Sequence, residues 1–156
     1  MNHNRRILLK GTLAASATGL AISAGLLTPK SVLAAWPKAA FEAKDIDGAL
    51  TAAVGGTGAS DSDKIKLKAP DIAENGAVVP ITVTSSISGT ESISLLVEKN
   101  ALPMAANFQL GANTEGYVST RIKMGKTSDV LAVVKAGGKL YSTKKQVKVT
   151  IGGCGG

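Results

Sequence analysis

The sequence predicts an all-β fold, an immunoglobulin-like β-sandwich with a short N-terminal helix. Three observations support this prediction. From residue 64 onward, short segments alternate apolar and polar residues, turn signals separate these segments, and helical periodicity is confined to a stretch before residue 55. The chain has one cysteine, which excludes the Cys–Trp–Cys core of antibody domains. The prediction therefore concerns the sandwich architecture alone.

The helix prediction rests on one run of apolar side chains. Phe41, Ile46, Leu50 and Val54 follow one another at helix-like spacing. This pattern indicates a short amphipathic helix from Lys38 to about Val54. The glycine-rich residues 55–63 that follow are typical of a loop.

The strand predictions come from period-two alternation, in which every second residue is apolar. Pro80 favours an edge position or a bulge, because proline cannot donate a hydrogen bond to a neighbouring strand. The sequence Ala136-Gly137-Gly138-Lys139 predicts a hairpin turn. The predicted strands cover residues 64–68, 79–84, 92–98, 105–110, 117–124, 130–135, 140–144 and 146–151.

The N-terminal residues 1–34 have the features of an export signal. The pair Arg5-Arg6 precedes Ile7-Leu8-Leu9-Lys10, an apolar segment covers about 11–27, and residues 32–34 form a small-residue cleavage motif. A charged start, an apolar middle and such a motif indicate a secretory signal, so no membrane anchor is expected. The arginine pair resembles the twin-arginine export pattern. An ordinary secretory signal with two incidental arginines is the alternative.

These features divide the chain into three parts: a cleaved twin-arginine signal peptide at 1–34, a β-sandwich domain at 35–151 and a flexible arm at 152–156. The twin-arginine route predicts a periplasmic location. The signal contains four of the 18 basic residues and none of the 11 acidic ones. The mature chain therefore carries 14 bases against 11 acids, a net charge of +3, and nucleic-acid binding is not indicated.

The mature chain lacks the residues for several kinds of chemistry. The only histidine, His3, leaves with the signal, and one cysteine remains. The chain alone cannot supply a Cys–His pair, a Ser–His–Asp triad, a Cys/His zinc site or an internal disulfide. The carboxylates at Asp45, Asp47, Asp61 and Asp63 are interpreted as solvated acids in a helix and a loop. No catalytic residue, metal ligand or cofactor is therefore expected in this chain.

The last predicted strand places Val147, Val149 and Ile151 inward and leads directly into a glycine-rich terminus. Glycine has no Cβ and loses much entropy on ordering, so the terminus is expected to be a mobile tether for one thiol. That thiol reaches about 10 Å beyond Ile151. The five terminal residues are Gly152, Gly153, Cys154, Gly155 and Gly156.

Four roles for Cys154 follow from its chemistry. These alternatives are a buried small apolar residue, a lipid-attachment site, a partner in an intermolecular disulfide, and a carrier that bonds a substrate covalently. The flanking glycines argue against burial, and the lipidation signals do not match this ending. The nearby Gly156 carboxylate disfavours the thiolate, so activation would come from a partner's pocket. Three strand lysines are either solvated or recruit an anion to this end of the domain: Lys144, Lys145 and Lys148.

The ending Gly152-Gly153-Cys154-Gly155-Gly156, preceded by residues 147–151, resembles SoxY, the sulfur-carrier subunit family of the periplasmic thiosulfate-oxidising system. The resemblance extends over nearly the whole mature chain. Ala101 departs from the family pattern in a loop, where a proline is expected. The other stretches that carry the resemblance are residues 69–80, 96–100, 119–125 and 132–138.

The resemblance implies a non-catalytic carrier that pairs with a SoxZ-like β-sandwich subunit. Cys154 would be joined oxidatively to thiosulfate by a haem enzyme, SoxAX, as a cysteine S-thiosulfonate. A dimanganese hydrolase, SoxB, would release sulfate and leave a persulfide, which a sulfane dehydrogenase, SoxCD, would oxidise where present. Haem, manganese and molybdenum would belong to those partners. Partner stoichiometry, the partner-binding surface, the role of disulfide-linked dimers and the fate of the sulfane sulfur stay open.

Three other functions compete with covalent carriage. A secreted β-sandwich binding module with an incidental terminal cysteine is the main alternative. A thiocarboxylate carrier that uses the Gly155-Gly156 carboxylate would need cytoplasmic ATP-dependent activation, which the export signal argues against. A thiol peroxidase would need groups that lower the thiol pKa, and the sequence offers none beside Cys154.

Overall fold

The computed structural model describes residues 37–150, and the predicted signal at 1–34 and arm at 152–156 lie outside this range. Two helices come first, α1 (Lys38–Glu42) and α2 (Ile46–Val54). None of the helices described is long and apolar enough to cross a membrane. The strands are β1 (Ser60–Asp61), β2 (Ile65–Lys68), β3 (Ile72–Ala73), β4 (Val79–Ser85), β5 (Thr90–Val97), β6 (Met104–Gln109), β7 (Gly116–Ile122), β8 (Ser128–Ala136) and β9 (Lys139–Val149).

The strands form two sheets, which confirms the predicted β-sandwich. The larger sheet has the order β1-β9-β8-β5-β6, and β3 also pairs with β9. The smaller sheet has the order β2-β4-β7. The chain passes from β1 in the larger sheet to β2 in the smaller one and back to β3. Both short strands, β1 and β3, pair in parallel with β9.

The central strands of the larger sheet, β5 and β8, are buried on both faces. The sheet's inner face meets the smaller sheet in a core that includes Ile93, Leu95 and Val97 of β5. Its outer face is covered by the helices, where Leu96 packs with Leu50 of α2. Each such buried side chain contributes about 1.5–3 kcal/mol relative to exposure. This double cover explains the continuous apolar run in β5, which a half-buried strand would not need.

The prediction of one helix from Lys38 to Val54 is wrong, because the structure has two. Asp45 interrupts the helical path with extended backbone angles, and its Oδ1 accepts a hydrogen bond from the Gly48 N–H at 2.7 Å. This contact is an N-cap, which stabilises a helix start by about 1 kcal/mol. Ile46, Leu50 and Val54 are four residues apart, whereas Phe41 precedes Ile46 by five and therefore belongs to another helix.

The prediction of separate strands at 140–144 and 146–151 is also wrong, because β9 is continuous from Lys139 to Val149. Lys145 interrupted the apolar alternation in the sequence. In the structure it takes an inward position of β9, and its Nζ donates to the Ala69 carbonyl oxygen at 2.6 Å. The same Nζ lies 2.9 Å from Asp71 Oδ1. The predicted inward positions of Val147 and Val149 are confirmed, and Ile151 lies outside the residues described.

Two sites have special backbone requirements, the Gly137-Gly138 turn and Pro80. Gly137 and Gly138 both have positive φ, 55° and 73°, and Ala136 pairs with Lys139, so the predicted hairpin is confirmed. Pro80 lies in β4, the central strand of the smaller sheet, and not in an edge strand. The pairing of β2 with β4 ends at Lys68↔Thr82, so Pro80 has a neighbouring strand on one side only. Because no strand lies on that open side, the N–H that Pro80 lacks removes no interstrand hydrogen bond there.

Candidate functional site

The last strand, β9, ends at one end of the sandwich, which we call the arm-root end. Since β8 and β5 are antiparallel neighbours in the same sheet, β8 begins here and β5 finishes here. In the smaller sheet, β4 begins and β7 finishes at this end. The arm-root end therefore consists of Thr150 and three loops at residues 74–78, 98–103 and 123–127.

The end of β9 is held on both sides. On one side β3 pairs in parallel with it, and the Thr150 N–H donates to the Ala73 carbonyl oxygen at 3.1 Å. The Lys148 N–H donates to the Asp71 carbonyl oxygen at 3.0 Å. On the other side the Val149 N–H donates to Thr127 Oγ1 at 3.0 Å. The root of the terminal segment is thus fixed by backbone bonds up to the last residue described.

A close approach between the backbones of Gly76 and Met124 supports the end of β9. The Met124 N–H donates to the Gly76 carbonyl oxygen at 2.7 Å. A Cβ on Gly76 would collide with the Met124 carbonyl oxygen and would lie 2.8 Å from Val149 Cγ1. Only glycine fits between these two groups, so loop 74–78 packs tightly against the end of β9.

Asn100 ties a third loop to this assembly. Its Nδ2 donates to the Lys123 carbonyl oxygen at 2.8 Å, and its Oδ1 accepts from the Gly125 N–H at 3.0 Å. Beside it, the Lys99 N–H donates to Ser128 Oγ at 3.0 Å. The loops at 98–103 and 123–127 are therefore joined through side-chain hydrogen bonds, and the arm-root end is a connected platform.

The three strand lysines differ in how they are used. Lys144 Nζ lies 3.7 Å from Asp129 Oδ2, and its side chain is largely exposed. Lys145 is bound to Ala69 and Asp71, so its ammonium is a structural contact between β9 and the segment before β3. Lys148 is exposed next to the arm root. Recruitment of an anion by these lysines stays a prediction.

The four carboxylates predicted to be solvated are exposed, but two lie in other elements than predicted: Asp45 precedes α2 with extended backbone, and Asp61 is in β1 and not in a loop. Asp45 caps α2, and Asp61 Oδ1 accepts a hydrogen bond from Ser142 Oγ at 3.2 Å. Asp47 and Asp63 are exposed. Within residues 37–150, no group of three or more His, Cys, Asp or Glu side chains is placed to hold a metal ion. Residues 37–150 contain no histidine and no cysteine.

Cys154 and its four glycines, Gly152, Gly153, Gly155 and Gly156, lie outside the residues described. The structure instead places three of the sequence stretches that carried the family resemblance, 69–80, 96–100 and 119–125, at the arm-root end. Sequence reasoning missed the anchoring residues Thr127, Asn100 and Asp71. The Asn75-Gly76 turn signal was the one pointer to the close approach at Gly76.

A β-sandwich whose anchored last strand leads directly into a single terminal cysteine has the build of a carrier protein. A family model described as "Sulfur oxidation protein SoxY" matches residues 50–154, more than half of the chain. The chain therefore belongs to the SoxY family of sulfur carrier proteins.

A solved structure with 46% sequence identity agrees with this assignment. The sulfur carrier protein SoxY from Chlorobium limicola f. thiosulfatophilum is 46% identical, with a TM-score of 0.61, over 67% of this chain and 96% of that chain. A superoxide reductase (neelaredoxin) from Ignicoccus hospitalis is 17% identical, with a TM-score of 0.49, over 56% of this chain and 80% of that chain. Comparison with curated proteins finds no significant match.

Proposed function

We propose that this chain carries thiosulfate-derived sulfur as a covalent adduct on Cys154 and presents it to partner enzymes in the periplasm. In this proposal residues 1–34 are a twin-arginine signal removed on export, residues 35–151 are the domain, and residues 152–156 are the carrier arm. The observation that carries the proposal is the anchored end of β9 at Val149, five residues before the only cysteine.

The bonds that form and break belong to two steps, loading of thiosulfate and hydrolysis. In loading, the Cys154 thiol and the sulfane sulfur of thiosulfate form a disulfide bond, and the thiol loses its proton. The two electrons released pass to a SoxAX-like haem enzyme. In the next step a SoxB-like dimanganese hydrolase adds water to the terminal sulfone. The S–S bond to that sulfone breaks, sulfate and two protons leave, and a cysteine persulfide anion stays on the carrier.

The domain contributes position and not catalysis. In the sequence, no histidine, lysine or arginine lies within five residues of Cys154, so the proposal leaves activation of the thiol to the partner's pocket. Haem, manganese and molybdenum belong to partners in this proposal, and the chain itself binds no cofactor. A SoxZ-like subunit completes the carrier as a heterodimer. A SoxCD-like dehydrogenase oxidises the persulfide where it is present.

Intact mass spectrometry of the exported protein tests this proposal. The protein is isolated from cells given thiosulfate, and its mass is measured before and after reduction. We expect reducible sulfur adducts that map to Cys154, together with an N-terminus at Ala35. The matched control, Cys154→Ser, should carry no adduct and should abolish thiosulfate oxidation.

The alternative is a secreted binding module in which the terminal cysteine is incidental. This alternative predicts that Cys154 is an unmodified thiol under every condition. It also predicts that the Cys154→Ser variant supports full thiosulfate oxidation. Either of these results would reject covalent carriage. A mature N-terminus other than Ala35 would reject the export assignment alone.

A further inference from the structure

The large apolar side chains exposed in the described part of the chain are unevenly distributed. Val78 and Leu102, with 49% and 46% of their surface exposed, are in loops of the arm-root end, and Ile72, 57% exposed, is in β3 directly beside it. We call these three residues the apolar trio. The remaining one, Tyr117, is 54% exposed and lies at the opposite end, where β7 begins.

The position of each member follows from the strand pairing. Ile72 is in β3 and pairs with Lys148, two residues before Thr150. Val78 comes directly before β4, in the loop whose Gly76 packs against Val149. Leu102 lies in the connection between β5 and β6. The three residues therefore lie in three separate elements that reach this end of the domain: β3, the loop before β4 and the β5–β6 connection.

Hydrogen bonds hold these connections in place. The Val78 N–H donates to the Asn75 carbonyl oxygen at 3.3 Å, and the Ala77 N–H donates to Asn75 Oδ1 at 2.9 Å. The Val97 N–H donates to the Pro103 carbonyl oxygen at 2.8 Å, beside Leu102. These hydrogen bonds favour the backbone conformations in which Val78 and Leu102 are exposed. Exposed apolar area costs about 25 cal/mol per Å² against burial, so a partner that covers it gains that free energy.

The short length of chain between Thr150 and Cys154 indicates which partner covers the arm-root end. Cys154 is four residues beyond Thr150. Four extended residues span at most about 14 Å. An enzyme that encloses the Cys154 sulfur in an active site must therefore bring its own surface against the arm-root end.

We infer that the apolar trio is the docking surface for the enzymes that react with Cys154, and that it meets an apolar collar around the mouth of the channel that admits the arm. This inference rests on the proposed function. Exposed charged residues lie at the same end of the domain, and exposed apolar side chains together with charged ones are the composition of a protein interface with a polar rim. These charged residues are Glu74, Lys99, Lys126 and Lys148. A closed apolar contact also keeps bulk water away from the reacting sulfur.

The test compares the triple variant Ile72→Glu/Val78→Glu/Leu102→Glu with Tyr117→Glu, which places the same charge on an exposed apolar residue at the opposite end. The mature chain, in complex with its SoxZ-like subunit, is loaded by the SoxAX-like enzyme with thiosulfate over a range of carrier concentrations. We expect kcat/KM to fall on the order of tenfold or more in the triple variant, mainly through KM. Tyr117→Glu should match the wild type.

Two further measurements show whether a fall in kcat/KM is caused by weaker docking. The rate at which iodoacetamide alkylates Cys154 should be the same in all variants, because the reagent needs no docking surface. Size-exclusion chromatography should show the SoxZ-like subunit still bound. If the triple glutamate variant does not fold, Ile72→Ser/Leu102→Ser replaces it.

Three results would overturn the inference: an unchanged kcat/KM, an equal loss in Tyr117→Glu, or loss of the SoxZ-like subunit from the triple variant. The last result would assign the trio to the subunit interface. Failure of the proposed function looks different, because the wild-type chain itself would then not be loaded on Cys154.

Discussion

The N–H of Val149 donates a hydrogen bond to Thr127 Oγ1 at 3.0 Å, so a side chain from the loop before β8 holds the last residue of β9. The opposite side of β9 is held by β3 through backbone bonds. The point from which the terminal cysteine extends is therefore held by β3 and by Thr127, a residue that sequence patterning did not identify.

Replacing Thr127 with valine keeps the side-chain volume and removes this acceptor. We expect a loss of about 1 kcal/mol in the free energy of unfolding, measured by chemical denaturation. Hydrogen exchange of the Val149 amide should become faster. Thr84→Val, an exposed threonine in β4, is the control and should leave both quantities unchanged. Unchanged exchange at Val149 in Thr127→Val would show that β3 alone anchors the strand.

Replacing Gly76 with alanine should destabilise the domain by about 2–3 kcal/mol, because the new Cβ collides with the Met124 carbonyl oxygen and crowds Val149. Thermal and chemical unfolding measure this loss. Gly56→Ala is the matched control, since its Cβ would meet Leu140 Cδ1 at an ordinary 3.8 Å. Equal stability of the two variants would mean that the loop at 74–78 yields easily.

Replacing Lys145 with glutamine should lower the free energy of unfolding by about 1 kcal/mol, since Nζ bonds Ala69 and Asp71 across the edge of β9. Lys148→Gln, an exposed neighbour on the same strand, should not change stability. The rate of thiosulfate loading separates the roles further. If the lysines recruit an anion, Lys148→Gln slows loading at low salt and the effect fades at high salt. A loading rate independent of Lys148 at every salt concentration would reject recruitment.

Replacing Gly153 or Gly155 with valine should leave the unfolding curve unchanged, because neither residue belongs to a predicted core position. Turnover by the partner enzymes should fall on the order of tenfold or more, since a branched side chain obstructs entry into a narrow channel. The assay is reconstituted thiosulfate oxidation, with alkylation of Cys154 by iodoacetamide as the control. Wild-type turnover by both variants would contradict a narrow channel.

Patterning predicted the parts of the fold that depend on local chemistry. Gly137-Gly138 specified the hairpin between β8 and β9, because both positions need positive φ. The inward residues Val118 and Ile122 of β7 followed from alternation alone. Where a polar side chain takes a structural task, patterning failed. Lys145 occupies an inward position by bonding a carbonyl, and Asp45 divides one expected helix into two.

The two-residue strands β1 and β3 could not be predicted, since a parallel pairing of two residues leaves no periodic signal. The contact between Thr127 and Val149 joins residues 22 positions apart and depends on the completed fold. Cys154, in contrast, was identified from the sequence because its glycine neighbours and its uniqueness are local features. Its role remains a prediction, as the residue lies outside the range described.

The placement of β9 between β8 and β3 also has a mechanical consequence. Ladder hydrogen bonds run across the strands, so a pull on the terminus along β9 loads those bonds sideways and together. The strand cannot be peeled away one bond at a time by a force in that direction. A pull on the arm by a departing partner would therefore be resisted by all the hydrogen bonds of the last strand at once.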